Sequence, residues 1–182
     1  LMEPITASTR IPLSDERVLS FDELYREHRD RVFAWAVRYG AGRVAWAEDV
    51  THDVFLQLHR HLPRLETDDL GGWLYRVTAN VALTRLRSEA GWLSRLARLF
   101  TREEVDRPDD VFERRDDGAA ALRTLHGLPP KERMVLSMAV LDGLSQREIA
   151  RTLKLSEGYV SKLLARAWDQ VRAAGWEVPD EP

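Results

Sequence analysis

The chain has 182 residues, 44% of them hydrophobic and 31% charged, with a formal net charge of -3. That length suits one domain or two small ones, and the slight acidity excludes a general nucleic-acid coat protein while leaving room for local basic surfaces. Without cysteine there is no disulfide, thiolate zinc site or thiol switch, which fits a cytoplasmic protein; no apolar run is long enough to span a bilayer, and the first residues lack a signal peptide's apolar core.

Residues 1–17 hold Pro4, Pro12 and small polar side chains, and read as a flexible N-terminal tail. Ser20 followed three residues later by Glu23 forms a capping box, with Leu19 and Leu24 placed as a hydrophobic staple. The helix it opens runs from Phe21 to near Gly40, with Leu24, Tyr25, Val32, Phe33, Ala36 and Val37 inward. A second helix takes Ala45 to about His61 and stops before Pro63; its apolar stripe is Val50, Val54, Phe55 and Leu58. After a loop from Pro63 to Gly72, a third helix covers Trp73 to about Arg87, with Leu74, Val77, Val81 and Leu86 inward. These helices predict a first domain over 18–90, near the minimum size for a core without staples.

Residues 91–117 read as a linker with a short amphipathic segment. In GWLSRLARLF, Trp92, Leu96, Leu99 and Phe100 fall at helical spacing, fit to pack on a protein partner. EEVDRPDDVFERRDD is acidic, contains Pro108 and reads as flexible. The second domain, 118–176, opens with ALRTLHGL and continues in a helix from Pro130 to a stop at Gly143. It closes with SQREIARTLKLSEGYVSKLLARAWDQVRAA, where Ser145 and Glu148 make another capping box and Ser156 caps a second helix with Glu157 in its first turn. Thr152 to Leu155 leaves room for a tight turn only, and Ile149, Ala150, Leu153, Val160, Leu163 and Leu164 share a miniature core, so the pair is a helix-turn-helix. Lys154 stands in the turn where such motifs usually carry Gly; a left-handed backbone there costs on the order of 1 kcal/mol. Residues 177–182 are a tail. No strand pattern appears, and the expected class is all-α: two small helical domains on a flexible linker.

Three constellations carry chemistry. Glu48, Asp49, His52 and Asp53 share one face of the second helix, opposite its apolar stripe. No second helix supplies a matching Glu-x-x-His set, so an acidic docking face for a basic partner is preferred to a metal site, and neither metal nor cofactor is expected. On the third helix Trp73, Tyr75, Arg76, Asn80, Thr84, Arg85 and Arg87 mix rings, an amide and guanidinium groups, the mixture that holds single-stranded nucleic acid; Trp73 also suits the core. Around the helix-turn-helix, Arg147, Arg151, Lys154, Lys162, Arg166 and Arg172 outnumber Glu148, Glu157 and Asp169, as suits a surface laid against phosphates.

Taken together, AEDVTHDVFLQLHRHL, GGWLYRVTANVALTRLR and LPPKERMVLSMAVLDGLSQREIARTLKLSEGYVSKLLARAWDQVR, in that order, resemble the extracytoplasmic-function group of bacterial RNA polymerase sigma factors over about residues 19–174. The resemblance implies a non-enzymatic initiation factor, monomeric when free, that binds core RNA polymerase and promoter DNA. It assigns Asp49, His52 and Asp53 to the polymerase, His52 standing where Gln is usual. It assigns the helix with Trp73, Arg76, Asn80, Thr84 and Arg87 to the melted minus-ten element, Thr84 standing where Asp is common. Arg147, Glu157, Tyr159, Ser161, Lys162 and Arg166 fall to the minus-35 duplex, while Leu163 and Trp168 replace residues that are often basic, so that either this helix grips phosphate more weakly or Trp168 packs on a partner. A dedicated anti-sigma factor is a further implied partner. The rivals are a dimeric repressor, which binds duplex operator without polymerase, and a helical metalloenzyme holding metal through Glu48 and His52.

Overall fold

The computed structural model describes residues 11–12, 18–65, 69–99 and 117–176; over 11–19, 91–99 and 117–119 the description is of backbone. Seven α-helices follow one another among them: α1 (Phe21–Tyr39), α2 (Val44–His61), α3 (Leu70–Leu99), α4 (Asp117–Gly127), α5 (Pro130–Val140), α6 (Gln146–Leu153) and α7 (Glu157–Ala173). A short 3-10 turn, Leu62–Arg64, follows α2. Ile11–Pro12 pairs antiparallel with Val18–Leu19. That pairing lies where a tail was expected; two residues a side are too few for alternation to register in sequence, and the class remains all-α.

Capping chemistry sets the helix starts. Ser20 opens α1 with both halves of its box made: the Glu23 amide donates to Ser20 Oγ at 3.3 Å and the Ser20 amide to Glu23 Oε2 at 2.7 Å. At the other end of α1, Gly40 lets the Trp46 indole close over the chain, since an added Cβ would sit 2.5 Å from Trp46 Cε3. The stripe Val50, Val54, Phe55 and Leu58 of α2 is buried as expected, against Leu24, Val32 and Ala36 of α1 and Leu74, Ala82 and Leu86 of α3.

The third helix differs from expectation at both ends. It starts at Leu70, not Trp73, because Asp69 caps it: the Gly72 amide donates to Asp69 Oδ1 at 2.7 Å. A side chain at Gly72 would collide with that carboxylate, so a glycine that reads as loop is what lets the cap fold over. Nor does the helix stop near Arg87. It runs unbroken to Leu99, so residues 91–99, expected as a separate linker segment, belong to α3. Nothing in SEAG breaks a helix; one interior glycine costs only about 1 kcal/mol, which an established helix absorbs. The expected partner-facing role of Trp92 to Phe100 concerns side chains outside the described residues.

In the second half, α5 begins with Pro130 at its first position, α6 carries the complete Ser145–Glu148 box, and Ser156 Oγ accepts the Tyr159 amide at 3.3 Å to start α7. Lys154 joins α6 to α7 with φ 54° and ψ 48°, the left-handed conformation that its place in the turn demands. Trp168 is half-buried against this chain's own core.

The two halves are docked. α5 lies against α1 and α6 against α3, and the buried apolar residues of both form one connected cluster. The hydrogen bonds across the seam are built largely on helix ends, whose last carbonyls lack partners within their own helix. Arg133 of α5, only 4% exposed, donates from Nε and Nη2 to the Tyr39 carbonyl that ends α1, at 3.2 and 3.0 Å. Its Nη1 reaches the Leu128 and His126 carbonyls at the end of α4, at 2.8 and 3.2 Å. Burial, with Arg43 adding repulsion, brings its pKa down to about 10, so it remains a cation at neutral pH, held by two helix C-termini. Beside it Asp142 accepts from Arg38 Nη2 and from the Tyr75 hydroxyl, both at 2.7 Å. Burial pushes the Tyr75 phenol far above its ordinary value, so it stays a donor.

Candidate nucleic-acid interface

α2 and α3 present faces of opposite character from one small unit. Glu48, Asp49 and His52 are exposed on α2, with Asp53 half-buried beside them. Arg85 of α3 crosses to this acidic face: its Nη2 and Nε lie 2.6 and 3.0 Å from Asp53 Oδ2, and its Nη1 3.3 Å from Asp49 Oδ2. Partial burial works against its charge, yet the two carboxylates outweigh that and raise its pKa. A groove of about 630 Å³ runs along the other flank of these acids, between Phe21, Tyr25 and Phe33 of α1 and His52, Phe55 and Leu56 of α2.

On α3, Arg76, Thr84 and Arg87 are exposed, and Asn80 is half-buried between them. The helical ladder orders their polar groups: Asn80 Nδ2 donates to the Arg76 carbonyl at 2.7 Å and Thr84 Oγ1 to the Asn80 carbonyl at 2.8 Å. The same Asn80 amide also donates to the Thr152 carbonyl of α6 at 3.0 Å. Trp73 lies apart from this row, half-buried against the core with its ring edge to His61 at 6.1 Å. Gln57 and Arg60 of α2 join Asn80 and Thr84 along a groove of about 310 Å³. Sequence reasoning passed over both, although Arg60 sits seven residues beyond Asp53, two helical turns along the same face.

The helix-turn-helix offers Arg147, Glu157, Ser161, Lys162 and Arg166, all exposed, with Tyr159 half-buried. Arg147 Nε pairs loosely with Glu157 Oε1 at 3.3 Å, and Lys131 Nζ lies 3.3 Å from the Tyr159 hydroxyl. Arg147, Arg151 and Lys154 line an open groove of about 580 Å³ that ends at Ser156. Such a basic groove at a helix start suits a phosphate. Among the described residues no group of three or more His, Asp or Glu is placed to hold a metal ion, and no helix is long and apolar enough to cross a membrane.

Sigma-70 region 2 matches residues 24–92 and sigma-70 region 4 matches residues 124–173. The chain is 31% identical over 160 residues to the ECF RNA polymerase sigma factor SigE of Mycolicibacterium smegmatis, covering 84% of this chain and 60% of that one. The chain belongs to the extracytoplasmic-function sigma factors of the sigma-70 family. This sigma factor is also 29% identical over 166 residues to the ECF sigma factor BldN of Streptomyces coelicolor, with 89% and 61% covered. It therefore spans about three fifths of the length of these curated relatives. Its fold is shared by the sigma factor RpoE co-crystallised with the anti-sigma factor NepR from Bartonella quintana, at TM-score 0.59 and 16% identity, covering 85% of this chain and 95% of that one. Region 2 takes in the acidic face and the Asn80 row, and region 4 takes in the helix-turn-helix, so the match falls on every constellation described above.

Proposed function

We propose that this protein binds core RNA polymerase in the cytoplasm and directs it to promoters, reading the minus-35 element as duplex and the minus-ten element as melted strand. One observation carries the reading: an acidic face on α2 and an amide-and-guanidinium row on α3, each mostly exposed, stand side by side within region 2. Residues 18–90 form the polymerase-binding and minus-ten unit, and 118–176 the minus-35 unit, with 91–117 between them. Asp49, His52 and Asp53 meet cationic groups of the polymerase. Arg76 and Arg87 neutralise phosphates while Asn80 and Thr84 offer hydrogen bonds to unstacked bases, with Trp73 bracing the start of their helix. Arg147 holds phosphate, and Glu157, Tyr159, Ser161, Lys162 and Arg166 face the major groove. An anti-sigma factor covering the polymerase-facing surfaces would silence both units.

In vitro transcription with purified core enzyme on a genomic promoter library tests this. Asn80→Ala weakens promoter opening by about 1–3 kcal/mol, the worth of a base contact, and leaves core binding intact. The pair Asp49→Asn, Asp53→Asn does the reverse. Loss of core binding in both variants, or unimpaired initiation in both, overturns the division of labour. Tight operator binding by a stable dimer without polymerase would replace it with a repressor.

A further inference from the structure

α5 and α7 pack together, and where their first turns meet stands a cation that the fold does not account for. Lys131, half-buried in the first turn of α5, has its Nζ 3.3 Å from the hydroxyl of Tyr159 in the first turn of α7. Among the described residues it has no carboxylate partner. The acid beside it, Glu132, is 7% exposed and turns inward to accept from Gln170 Nε2 at 2.6 Å. A cation in the first turn also works against the helix dipole, so the stability of α5 does not ask for a lysine there.

The ammonium stands 3.3 Å from the hydroxyl oxygen but 5.6 Å from the ring centroid, so it lies off the tip of the Tyr159 ring and not over its face. An ammonium only donates, so the phenol oxygen must accept. Conjugation with the ring leaves that oxygen one good accepting direction, and Lys131 takes it. The phenol's own hydrogen is left free and points away from Lys131. Tyr159 is fixed at its other end too, since its amide donates to Ser156 Oγ at 3.3 Å and its ring packs on the core cluster. Next to it Gly158 is exposed, and a Cβ there would meet nothing, so at that position α7 puts no side chain between itself and a duplex.

We propose that Lys131 is a positioning residue for reading the minus-35 element: by engaging the phenol oxygen it makes Tyr159 a hydrogen-bond donor only, and the pair rejects cytosine at the base that Tyr159 meets. The proposal rests on the assignment of α7 to the major groove. There adenine and guanine offer N7, guanine O6 and thymine O4 as acceptors, whereas cytosine offers only its N4 amino donor. A phenol free to accept would take that amino group. One whose oxygen is held by an ammonium cannot.

The full chain with purified core polymerase is assayed for transcription from a promoter it uses, with each base pair of the minus-35 element replaced in turn by every alternative. In the wild type, cytosine at one position lowers initiation on the order of tenfold below the other bases there, the worth of a base contact. Lys131→Met keeps the side chain's length without its charge; it removes the cytosine penalty at that position to within about twofold and leaves the other positions as they were. Tyr159→Phe removes the same penalty, the double variant behaves as Tyr159→Phe alone, and Lys131→Arg retains the penalty. A thermal midpoint of Lys131→Met at or above that of the wild type separates loss of reading from loss of fold. If Lys131→Met keeps the cytosine penalty, or weakens initiation on all sequences alike with a smaller salt dependence, Lys131 is a structural or phosphate contact and the proposal is wrong. A wild type that transcribes with no base preference anywhere in the element instead overturns the minus-35 assignment, and the proposal falls with it.

Discussion

Lys154 shows most directly how this molecule spends stability at a single residue. It holds a left-handed backbone for the sake of the turn, and its ammonium lines the basic groove at the start of α7. Lys154→Gly therefore raises the thermal midpoint by about 2–4 °C, the shift expected of roughly 1 kcal/mol in a chain of this size. The same change lowers the salt dependence of duplex binding by about one counterion if the ammonium meets a phosphate; a lowered midpoint would mean the side chain, not the backbone, dominates. His28 supplies a pH dependence. Burial lowers its pKa below the ordinary value, with Glu27 opposing and Arg31 assisting. The unfolded chain therefore takes up the proton first as pH falls through about 6.5, and stability present above that pH is lost below it. His28→Gln flattens urea midpoints measured between pH 7.5 and 5.5; an unchanged slope would locate the titration elsewhere.

Among the elements, α2 and α3 are coupled by more than apolar packing, because Arg85 lies over the acidic face that the polymerase is proposed to use. The pair is a third or more exposed, so Arg85→Ala costs less than about 1 kcal/mol of stability. It also removes a competing cation, and core affinity measured by fluorescence anisotropy rises; a fall would show that Arg85 aligns the carboxylates for the partner. The helices themselves were legible in sequence wherever local chemistry decides. The boxes at Ser20 and Ser145, the cap at Ser156, the stripe of α2 and the tight turn at Lys154 all depend on residues within a few positions of one another. The start and end of α3 were not. Asp69 caps through Gly72, which looks like loop, and past Arg87 the good helix formers Glu89, Ala90, Leu93 and Leu96 are interrupted by Gly91, which reads as a boundary. The exposed site residues were also legible, since they lie opposite the apolar stripes. That Asn80 is half-covered, and by which helix, depends on residues far along the chain and has no local signal.

At the scale of the whole molecule, two units near the lower size limit for an independent core lean on each other through Arg133, Asp142 and Asn80. Arg133 gave no sign of that seam in sequence, because Lys131 and Glu132 beside it make the start of α5 read as an ordinary solvated helix turn. Arg133→Ala leaves the Tyr39, His126 and Leu128 carbonyls without its donors, at a cost of about 1–3 kcal/mol in a urea titration. Stability unchanged within a few tenths would mean that water already serves those acceptors.

Because the acceptors at Thr152 and Tyr39 are backbone oxygens, every amino acid placed at those two positions still presents one. Substitution scanning of either residue would pass over the contact, and suppressor genetics would recover its donors, Asn80 and Arg133, but not its acceptors. Half of this interface is thus written in a script that heredity cannot edit one letter at a time.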